Sequence, residues 1–264
     1  MKKITLFIAL VLSLSIFANE NEANMWEKIK LDYKNYYVLG DYKEAGTAFL
    51  VGGIMANTPI DQWIRDNYQT KIRNNTEYGT DEINEQSLVD KTFGEGKIMI
   101  PVVLGAKFLG DLTNSKNIEE WGDNATRAYL VGVPSLLLLQ RVTGGSRPAE
   151  LNSDETSNWK FFNDDNGVSG HSYMGSVPFL VAANMSDDKF TRGFFYFAST
   201  LTGLSRINDD AHFASQAFLG WYLAYASVKS VFKTNGEIEK NKNELNIIPI
   251  INEDSYGLGI SFKR

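Results

Sequence analysis

The chain has 264 residues and contains no cysteine, and its formal net charge at pH 7 is −6. The length suits one sizeable helical domain with a complete core. Without cysteine there is no disulfide bond, no thiolate nucleophile and no cysteine-ligated zinc site. The negative charge argues against nucleic-acid binding and against electrostatic docking on an anionic membrane.

Residues 1–18 are typical of a secretory signal peptide. Two lysines form a basic start, residues 4–17 form an apolar run, and Ala18 is a small residue at the expected cleavage point. Cleavage removes both lysines, which leaves a net charge of −8, and it predicts a periplasmic location. An uncleaved N-terminal anchor is the alternative, because Ile16 is large for the position two residues before Ala18.

Apolar periodicity and capping residues predict a largely helical domain over residues 19–232. Residues 58–59 provide a cap and a first-turn proline, whereas residues 74–84 form a polar loop. Two glycines follow a long helix that contains Pro134, and the proline is expected to bend that helix. The predicted helices are 60–68, 97–112, 118–142, 170–185, 189–204 and 209–232.

The sequence after residue 232 changes in character. Residues 233–244 are highly charged and are predicted to be a linker, and residues 245–252 and 256–262 are β-prone runs that fit a hairpin. No apolar run of the mature chain clearly reaches the roughly 20 residues that a membrane span needs. The closest run, residues 213–228, is interpreted as a buried helix because it contains Gln216 and several small residues.

Three short motifs contain both histidines of the chain. They are Gln140-x6-Arg147-Pro148, then Val168-Ser169-Gly170-His171, and then Ser205-Arg206-x5-His212-x3-Gln216. Arginine forks and backbone N–H groups at the start of a helix are groups that hold phosphate oxygens. Histidine can act as a nucleophile or as a proton donor. The combination indicates phosphoryl transfer more strongly than any single motif does.

In order and spacing, these motifs resemble those of the type 2 phosphatidic acid phosphatase (PAP2) superfamily, which includes the bacterial class A acid phosphatases and the vanadium haloperoxidases. The family motifs are Lys-x6-Arg-Pro, Pro-Ser-Gly-His and Ser-Arg-x5-His-x3-Asp. The motifs span residues 140–216, and with the neighbouring helices the likeness covers roughly residues 97–232. The resemblance implies an all-α, multi-helix bundle, here followed by the short β-hairpin-like tail.

The resemblance also implies a function and the residues that perform it. His212 is expected to be the nucleophile that forms a phosphohistidine, and His171 the acid that protonates the leaving oxygen and then activates water. The expected phosphate-binding residues are Gln140, Arg147, Ser169, Gly170 and Arg206. With the signal peptide, this predicts an exported phosphatase for phosphomonoesters or diphosphates, either lipid or small and soluble, without a metal or other cofactor. Peripheral membrane contact is compatible with such a substrate, and the sequence does not indicate the oligomeric state.

Two positions depart from the family pattern. Gln140 replaces the family lysine, which removes one cation, and the neighbouring Arg141 points about 100° away on a helix. Gln216 replaces the aspartate that orients the nucleophile, although the spacing from His212 still places the two side chains close together on a helix. Asp209 or Asp210 could take over the role of the missing aspartate. In serine proteases the corresponding aspartate-to-asparagine exchange costs about 10⁴ in rate.

Other interpretations of these residues remain open. Each arginine taken alone could be a surface ion-pair partner, and Ser169 a simple helix cap. Asp209, Asp210 and His212 could hold a metal, although the two aspartates also fit the start of a helix. A catalytically weakened protein that binds an anion or lipid headgroup, or that acts as a structural envelope protein, is the second hypothesis. A vanadium-dependent haloperoxidase is the third.

Overall fold

The computed structural model describes residues 25–73, 92–151, 157–242, 245–252 and 255–262, and beyond residue 240 it describes only the backbone. The predicted signal peptide or anchor (residues 1–18) and the predicted loop (residues 74–84) lie outside the described residues. The described helices are α1 (Met25–Tyr37), α2 (Tyr42–Ala56), α3 (Ile60–Asn67), α4 (Gly96–Leu112), α5 (Lys116–Thr143), α6 (Gly170–Met185), α7 (Lys189–Asn208) and α8 (Ala214–Lys242). A π-helical turn (Tyr68–Arg73) follows α3, and a 3-10 turn (Pro148–Glu150) follows α5. The predicted all-α fold is confirmed.

The long helix α8 lies at the centre of the bundle. It packs against α1, α2, α3, α5, α6 and α7. Its buried face includes Leu219, Leu223 and Val228, which join Tyr129 from α5 and Leu180 from α6 in one apolar cluster. These side chains are almost completely removed from water, so α5, α6 and α8 form a rigid frame for the residues at their ends.

Helix α1 packs against the part of α5 in which a proline interrupts the backbone hydrogen bonds. Pro134 lies inside α5 and has no N–H group, so the carbonyl of Leu130 loses its helical donor. The hydroxyl of Tyr33 donates to that carbonyl at 2.9 Å, and the hydroxyl of Tyr37 donates to the carbonyl of Val131 at 2.8 Å. The tyrosines of the N-terminal segment therefore satisfy backbone groups that the proline exposes.

In α6, too, a side chain of a neighbouring helix donates to a carbonyl that a proline leaves without its helical donor. Pro178 leaves the carbonyl of Met174 without its helical donor, and the hydroxyl of Tyr129 donates to it at 2.7 Å. The indole Nε1 of Trp121 donates to the carbonyl of Pro178 itself at 3.0 Å. Both donors come from α5, so proline in α6 becomes a point of attachment between the two helices.

A buried ion pair joins α1 to α5. Arg127 donates from Nε and Nη2 to the two carboxylate oxygens of Asp32, at 2.7 and 2.6 Å, and both side chains are 1% exposed. The remaining nitrogen Nη1 donates to Asn235 of α8 at 2.8 Å. Asp123 lies 3.4 Å from Nη1 and also pairs with Lys107 of α4. The bidentate geometry and extra partners offset the cost of burying these charges.

Two sequence predictions about α8 are wrong. The helix begins at Ala214 instead of residue 209, and it runs to Lys242, so residues 233–242 are helical and are not a linker. The predicted hairpin is confirmed: β1 (Leu245–Asn252) pairs antiparallel with β2 (Ser255–Phe262), with Leu245 opposite Phe262. Charged residues fit a helix as well as a linker when they lie on its solvent face. Among the described helices, none is long and apolar enough to cross a membrane.

Candidate active site

The loop that carries His212 is formed where α7 ends. Asp210 adopts a left-handed backbone conformation with φ of 54°, which stops the helix. Its carboxylate accepts two hydrogen bonds from Arg65 of α3, both at 2.6 Å. Asp209 is the C-cap of α7, so neither aspartate starts a helix as predicted. His212 therefore lies in a turn, and its backbone N–H donates to the carbonyl of Arg206 at 3.2 Å.

Helix α3 also supports the beginning of α8. The carboxylate of Asp61, which is fully buried, accepts hydrogen bonds from the backbone N–H of Ser215 at 2.9 Å and from its hydroxyl. Gln69 of the π-helical turn donates to the carbonyls of Ile207 and Asn208 at 2.9 and 3.2 Å. A carboxylate at the start of a helix complements its positive end. The segment from α3 to the π-helical turn thus fixes the loop on both sides of His212.

Gln216 contacts the ring of His212 with its carbonyl oxygen. Oε1 lies 2.8 Å from Nδ1 of His212 and also accepts from the backbone N–H of Phe213 at 3.2 Å. The amide Nε2 donates to the carbonyl of Ser146 at 2.8 Å and to Oγ of Ser157 at 3.2 Å. A backbone donor on one side and a backbone acceptor on the other fix the orientation of the amide. Nδ1 must then carry the proton, which leaves the lone pair of Nε2 free for nucleophilic attack.

The surroundings of His212 oppose a positive charge on its ring. The side chain is almost completely buried, and burial lowers the pKa of His212 to about 3. The hydrogen bond that Nδ1–H of His212 donates to Gln216 opposes this shift, whereas the positive charges of Arg147 and Arg206 and the nearby His171 add to it. The ring is therefore neutral at pH 7, the form that a nucleophile requires.

Arg206 places unpaired donors close to both histidines. The residue is 5% exposed, and its Nη2 lies 3.3 Å from a carboxylate oxygen of Asp209. In the described part of the chain, its buried Nε and Nη1 have no hydrogen-bond partner. Burial lowers the pKa of Arg206, and so does the charge of Arg147, whereas Asp209 and Glu95 raise it. Unpaired buried N–H groups are costly, and phosphate oxygens would satisfy them.

Arg147 is held by its neighbours. Its Nε donates to Oδ1 of Asn166 at 2.8 Å, and its backbone N–H donates to Oε2 of Glu150 at 2.7 Å. Asn166 is buried and also donates to Asp164 at 2.9 Å. The hydrogen bond from Nε fixes the plane of the Arg147 guanidinium and so fixes the direction of its terminal nitrogens.

The start of α6 provides the middle of the site. Ser169 is the N-cap: its Oγ accepts from the backbone N–H of Ser172 at 3.3 Å, and its own N–H donates to the carbonyl of Gln216 at 2.9 Å. The hydroxyl of Ser169 thus caps the helix, which agrees with the alternative interpretation of this residue as a helix cap. Gly170 forms the wall beside Gln140, whose Nε2 donates to the carbonyl of Val168 at 2.9 Å. The cap thus satisfies the N–H group of Ser172, and Gly170 and His171 of the same turn line the site.

His171 lies opposite His212 on the first turn of α6. Its Nε2 lies 3.3 Å from Oε1 of Glu95, and the two side chains are 32% and 30% exposed. Burial lowers the pKa of His171, and the charges of Arg206 and Arg147 lower it further, whereas Glu95 raises it. A partly exposed imidazole with an acidic partner is suited to transfer a proton.

A cavity of about 280 Å³ joins these groups. Of the predicted site residues, Gln140, Arg147, Gly170, His171 and His212 line it, whereas Ser169, Arg206 and Gln216 are not among its lining residues. The opposite wall is apolar and includes Ile100, Val133, Leu136, Leu137 and Met174. The cavity thus has one face suited to an anion and one suited to an apolar group.

Three residues of the site were missed by the sequence predictions. Glu95 and Lys97 line the cavity from the start of α4, and Asn166 orients Arg147. Glycines on both sides of Glu95 were the signal that could have found it, because paired glycines allow a close backbone approach. Arg141 does not line this cavity and its side chain is exposed, whereas Lys97 lines the cavity with a side chain that is 72% exposed.

The metal interpretation finds no support in the described residues. They contain no group of three or more histidine, aspartate or glutamate side chains that could hold a metal ion. Asp209 and Asp210 pair with Arg206 and Arg65. These two aspartates therefore neither form a ligand set with His212 nor replace Gln216 beside it.

Comparison with known protein families agrees with the motifs. Residues 127–239 match the PAP2 superfamily. No curated protein and no solved structure matches the chain. The matched segment extends from α5 into α8 and contains all of the predicted catalytic and phosphate-binding residues. The match supports the PAP2 superfamily, whose members are generally phosphatases.

Proposed function

We propose that this protein is an exported, periplasmic phosphatase, related to the class A acid phosphatases, that uses His212 as a nucleophile. One observation carries the proposal: Gln216 presents its carbonyl oxygen to Nδ1 of His212 and so leaves Nε2 with a free lone pair. His212 lines a cavity together with Arg147 and His171. Phosphoryl transfer needs such positive groups around the equatorial oxygens.

The proposed reaction has two steps. Nε2 of His212 attacks phosphorus while the bond to the leaving oxygen breaks, and that oxygen takes its electron pair and the proton of the His171 imidazolium. Water then attacks the phosphohistidine, His171 accepts a proton from that water, and the P–N electron pair returns to Nε2. Arg147 and Arg206 stabilise the charge on the phosphoryl oxygens in both steps.

The apolar wall of the cavity favours an amphiphilic substrate. Ile100, Leu136 and Met174 would contact the organic part of the ester while the arginines hold the phosphate. Three aromatic side chains on α7, Phe190, Phe194 and Phe197, are 84%, 57% and 62% exposed. Peripheral membrane contact is therefore part of this proposal, since an exposed apolar surface of this kind suits a lipid-bearing partner.

Phosphate release by the purified mature protein tests the proposal. We expect turnover with a lipid phosphate or diphosphate to exceed turnover with small soluble esters, and we expect vanadate to inhibit. His212→Asn, which keeps a polar side chain of similar length, should reduce turnover by at least about 10³-fold, because the covalent intermediate cannot form. Full activity in this variant would exclude His212 as the nucleophile.

A second candidate function is supported by the missing charges at Gln140 and Gln216. A protein that binds an anion or lipid headgroup without turnover needs the arginines but not a stabilised imidazolium. The low pKa of His212 is consistent with this role. Phosphate binding by the wild-type protein, measured by calorimetry and abolished in Arg206→Ala, together with no phosphate release, would favour binding over catalysis.

A further inference from the structure

The carboxylate of Glu95 is directed at the proposed proton donor. Glu95 is the N-cap residue of α4, but its side chain does not cap that helix. One oxygen, Oε1, lies 3.3 Å from Nε2 of His171, and the other, Oε2, lies 3.7 Å from Nζ of Lys97. All three residues line the cavity that contains His212. The carboxylate therefore lies between the imidazole of His171 and the exposed ammonium of Lys97.

The backbone next to Glu95 is packed tightly against His171. A Cβ atom added to Gly94 would lie 2.9 Å from Cβ of His171, 3.0 Å from its carbonyl oxygen and 2.9 Å from Cγ2 of Thr202. Side chains do not normally approach so closely, and two of these contacts involve the backbone or the first side-chain atom of His171. Glycine at position 94 is thus required for the loop to bring Glu95 within reach of the ring.

We propose that Glu95 is a positioning residue that binds the Nε2–H group of His171 and keeps this side chain protonated until the leaving oxygen takes the proton. The catalytic meaning of this inference rests on the proposed function. At 3.3 Å the contact is longer than a strong charge-assisted hydrogen bond, so the leaving oxygen can replace it at small cost. The proton then passes to that oxygen, and His171 remains neutral and able to accept a proton from water.

Within the part of the chain that the structure describes, Glu95 is the acidic group that acts on His171. The charged groups on the other elements are Arg206 of α7 and Arg147 after α5, and both lower the pKa of His171, as does burial. Glu95 raises it through its hydrogen bond and its charge. Without Glu95 the pKa of His171 would be lower still, so the imidazolium would lose its proton at lower pH.

The titration of His171 tests the inference without any need for turnover. The chain has only two histidines, so imidazole NMR signals are readily assigned with one variant of each. We expect Glu95→Gln to move the titration midpoint of His171 to lower pH. The exposed Glu120→Gln on α5 is the control and should leave the midpoint in place. An unchanged or raised midpoint in Glu95→Gln would overturn the inference.

Gly94→Ala is a second variant that keeps every charge. The added methyl group should push the loop away from His171 and lower the midpoint in the same direction. Thermal unfolding identifies any variant that does not fold. If Glu95→Gln does not fold, a folded Gly94→Ala decides the question, and an unchanged midpoint there overturns the inference.

Kinetics then separate proton donation from a structural role. Glu95→Gln should reduce kcat about tenfold for an alkyl phosphate, whose leaving oxygen needs a proton, and less for 4-nitrophenyl phosphate, whose leaving group does not. An equal loss for both substrates would contradict proton donation through Glu95. If the wild-type protein releases no phosphate from either substrate, the proposed function fails, and the NMR midpoint still decides whether Glu95 holds the His171 proton.

Discussion

Replacing Gln216 by aspartate should increase the turnover rate, because it places a negative charge beside the ring of His212, whose present partner is neutral. The pKa of His212 is lowered from its ordinary value of 6.5 to about 3. This difference corresponds to about 5 kcal/mol against the cationic ring. A phosphohistidine that retains its Nδ1 proton carries positive charge on the same ring, so the same surroundings destabilise the covalent intermediate.

The expected gain follows from the geometry around Gln216. A carboxylate within about 4 Å of the ring contributes about 4 kcal/mol at an effective dielectric constant of 20, and part of this is lost to the burial of the new charge. A net gain of about 2 kcal/mol corresponds to about 30-fold in rate. In serine proteases, the aspartate-to-asparagine exchange costs about 10⁴ in rate because the correct histidine tautomer is lost as well as the charge. Here the rate gain should be smaller, because Gln216 already enforces the correct tautomer of His212.

Gln216→Asn is the matched control for this experiment. Asparagine and aspartate are equally short, so both lose the contacts with Ser146 and Ser157 that Gln216 makes. Comparing the two variants isolates the charge. The assay is phosphate release at pH 7 under saturating substrate, with the titration midpoint of His212 measured by NMR. The reasoning is refuted if Gln216→Asp is no faster than both Gln216→Asn and the wild type, or if it leaves the midpoint of His212 unchanged.

Two further predictions concern stability. Because the pKa of His212 is lower in the folded protein, the unfolded chain binds more protons between about pH 3 and pH 6.5. The free energy of unfolding is therefore retained above this range and falls as the pH decreases through it. In urea unfolding, His212→Gln should remove about 3 kcal/mol of the stability that the wild type loses between pH 7 and pH 4. An unchanged pH dependence would contradict the burial of a neutral ring. Arg127→Leu should reduce the free energy of unfolding by about 3–5 kcal/mol, because it leaves the buried carboxylate of Asp32 without its partner. Combining it with Asp32→Asn should recover part of this loss, and no recovery would argue against the ion pair as the cause.

The sequence predicted the bounds of α5 well. The predicted range 118–142 corresponds to α5 (Lys116–Thr143), because acidic residues in the first turn and glycine after the last turn are local signals. The start of α8 was predicted wrongly for a non-local reason. Asp209 and Asp210 have the composition of a helix start, but Asp210 pairs with Arg65, which is 145 residues away. Local patterns contain no information about such a contact.

The motifs predicted which residues form the site but not how they are oriented. The direction of the Gln216 amide depends on the carbonyl of Ser146 and the N–H of Phe213, and both are backbone groups without a sequence signal. Glu95 was missed because it lies 76 residues from His171 and outside the three motifs. Glycine on each side of a carboxylate is the local feature from which it could have been recognised.

The segment that matches the PAP2 superfamily depends on residues outside it. Residues 127–239 contain the proposed nucleophile and both arginines, yet Asp210 and Ser215 on either side of His212 are held by Arg65 and Asp61 of α3. Without α1, this segment would also lack Asp32, the partner of the buried guanidinium of Arg127. A nucleophile must be held within a fraction of an ångström to be effective. The proposed catalytic unit is therefore the bundle from α1 to α8, and it includes Glu95, the proposed positioning residue from outside the matched segment.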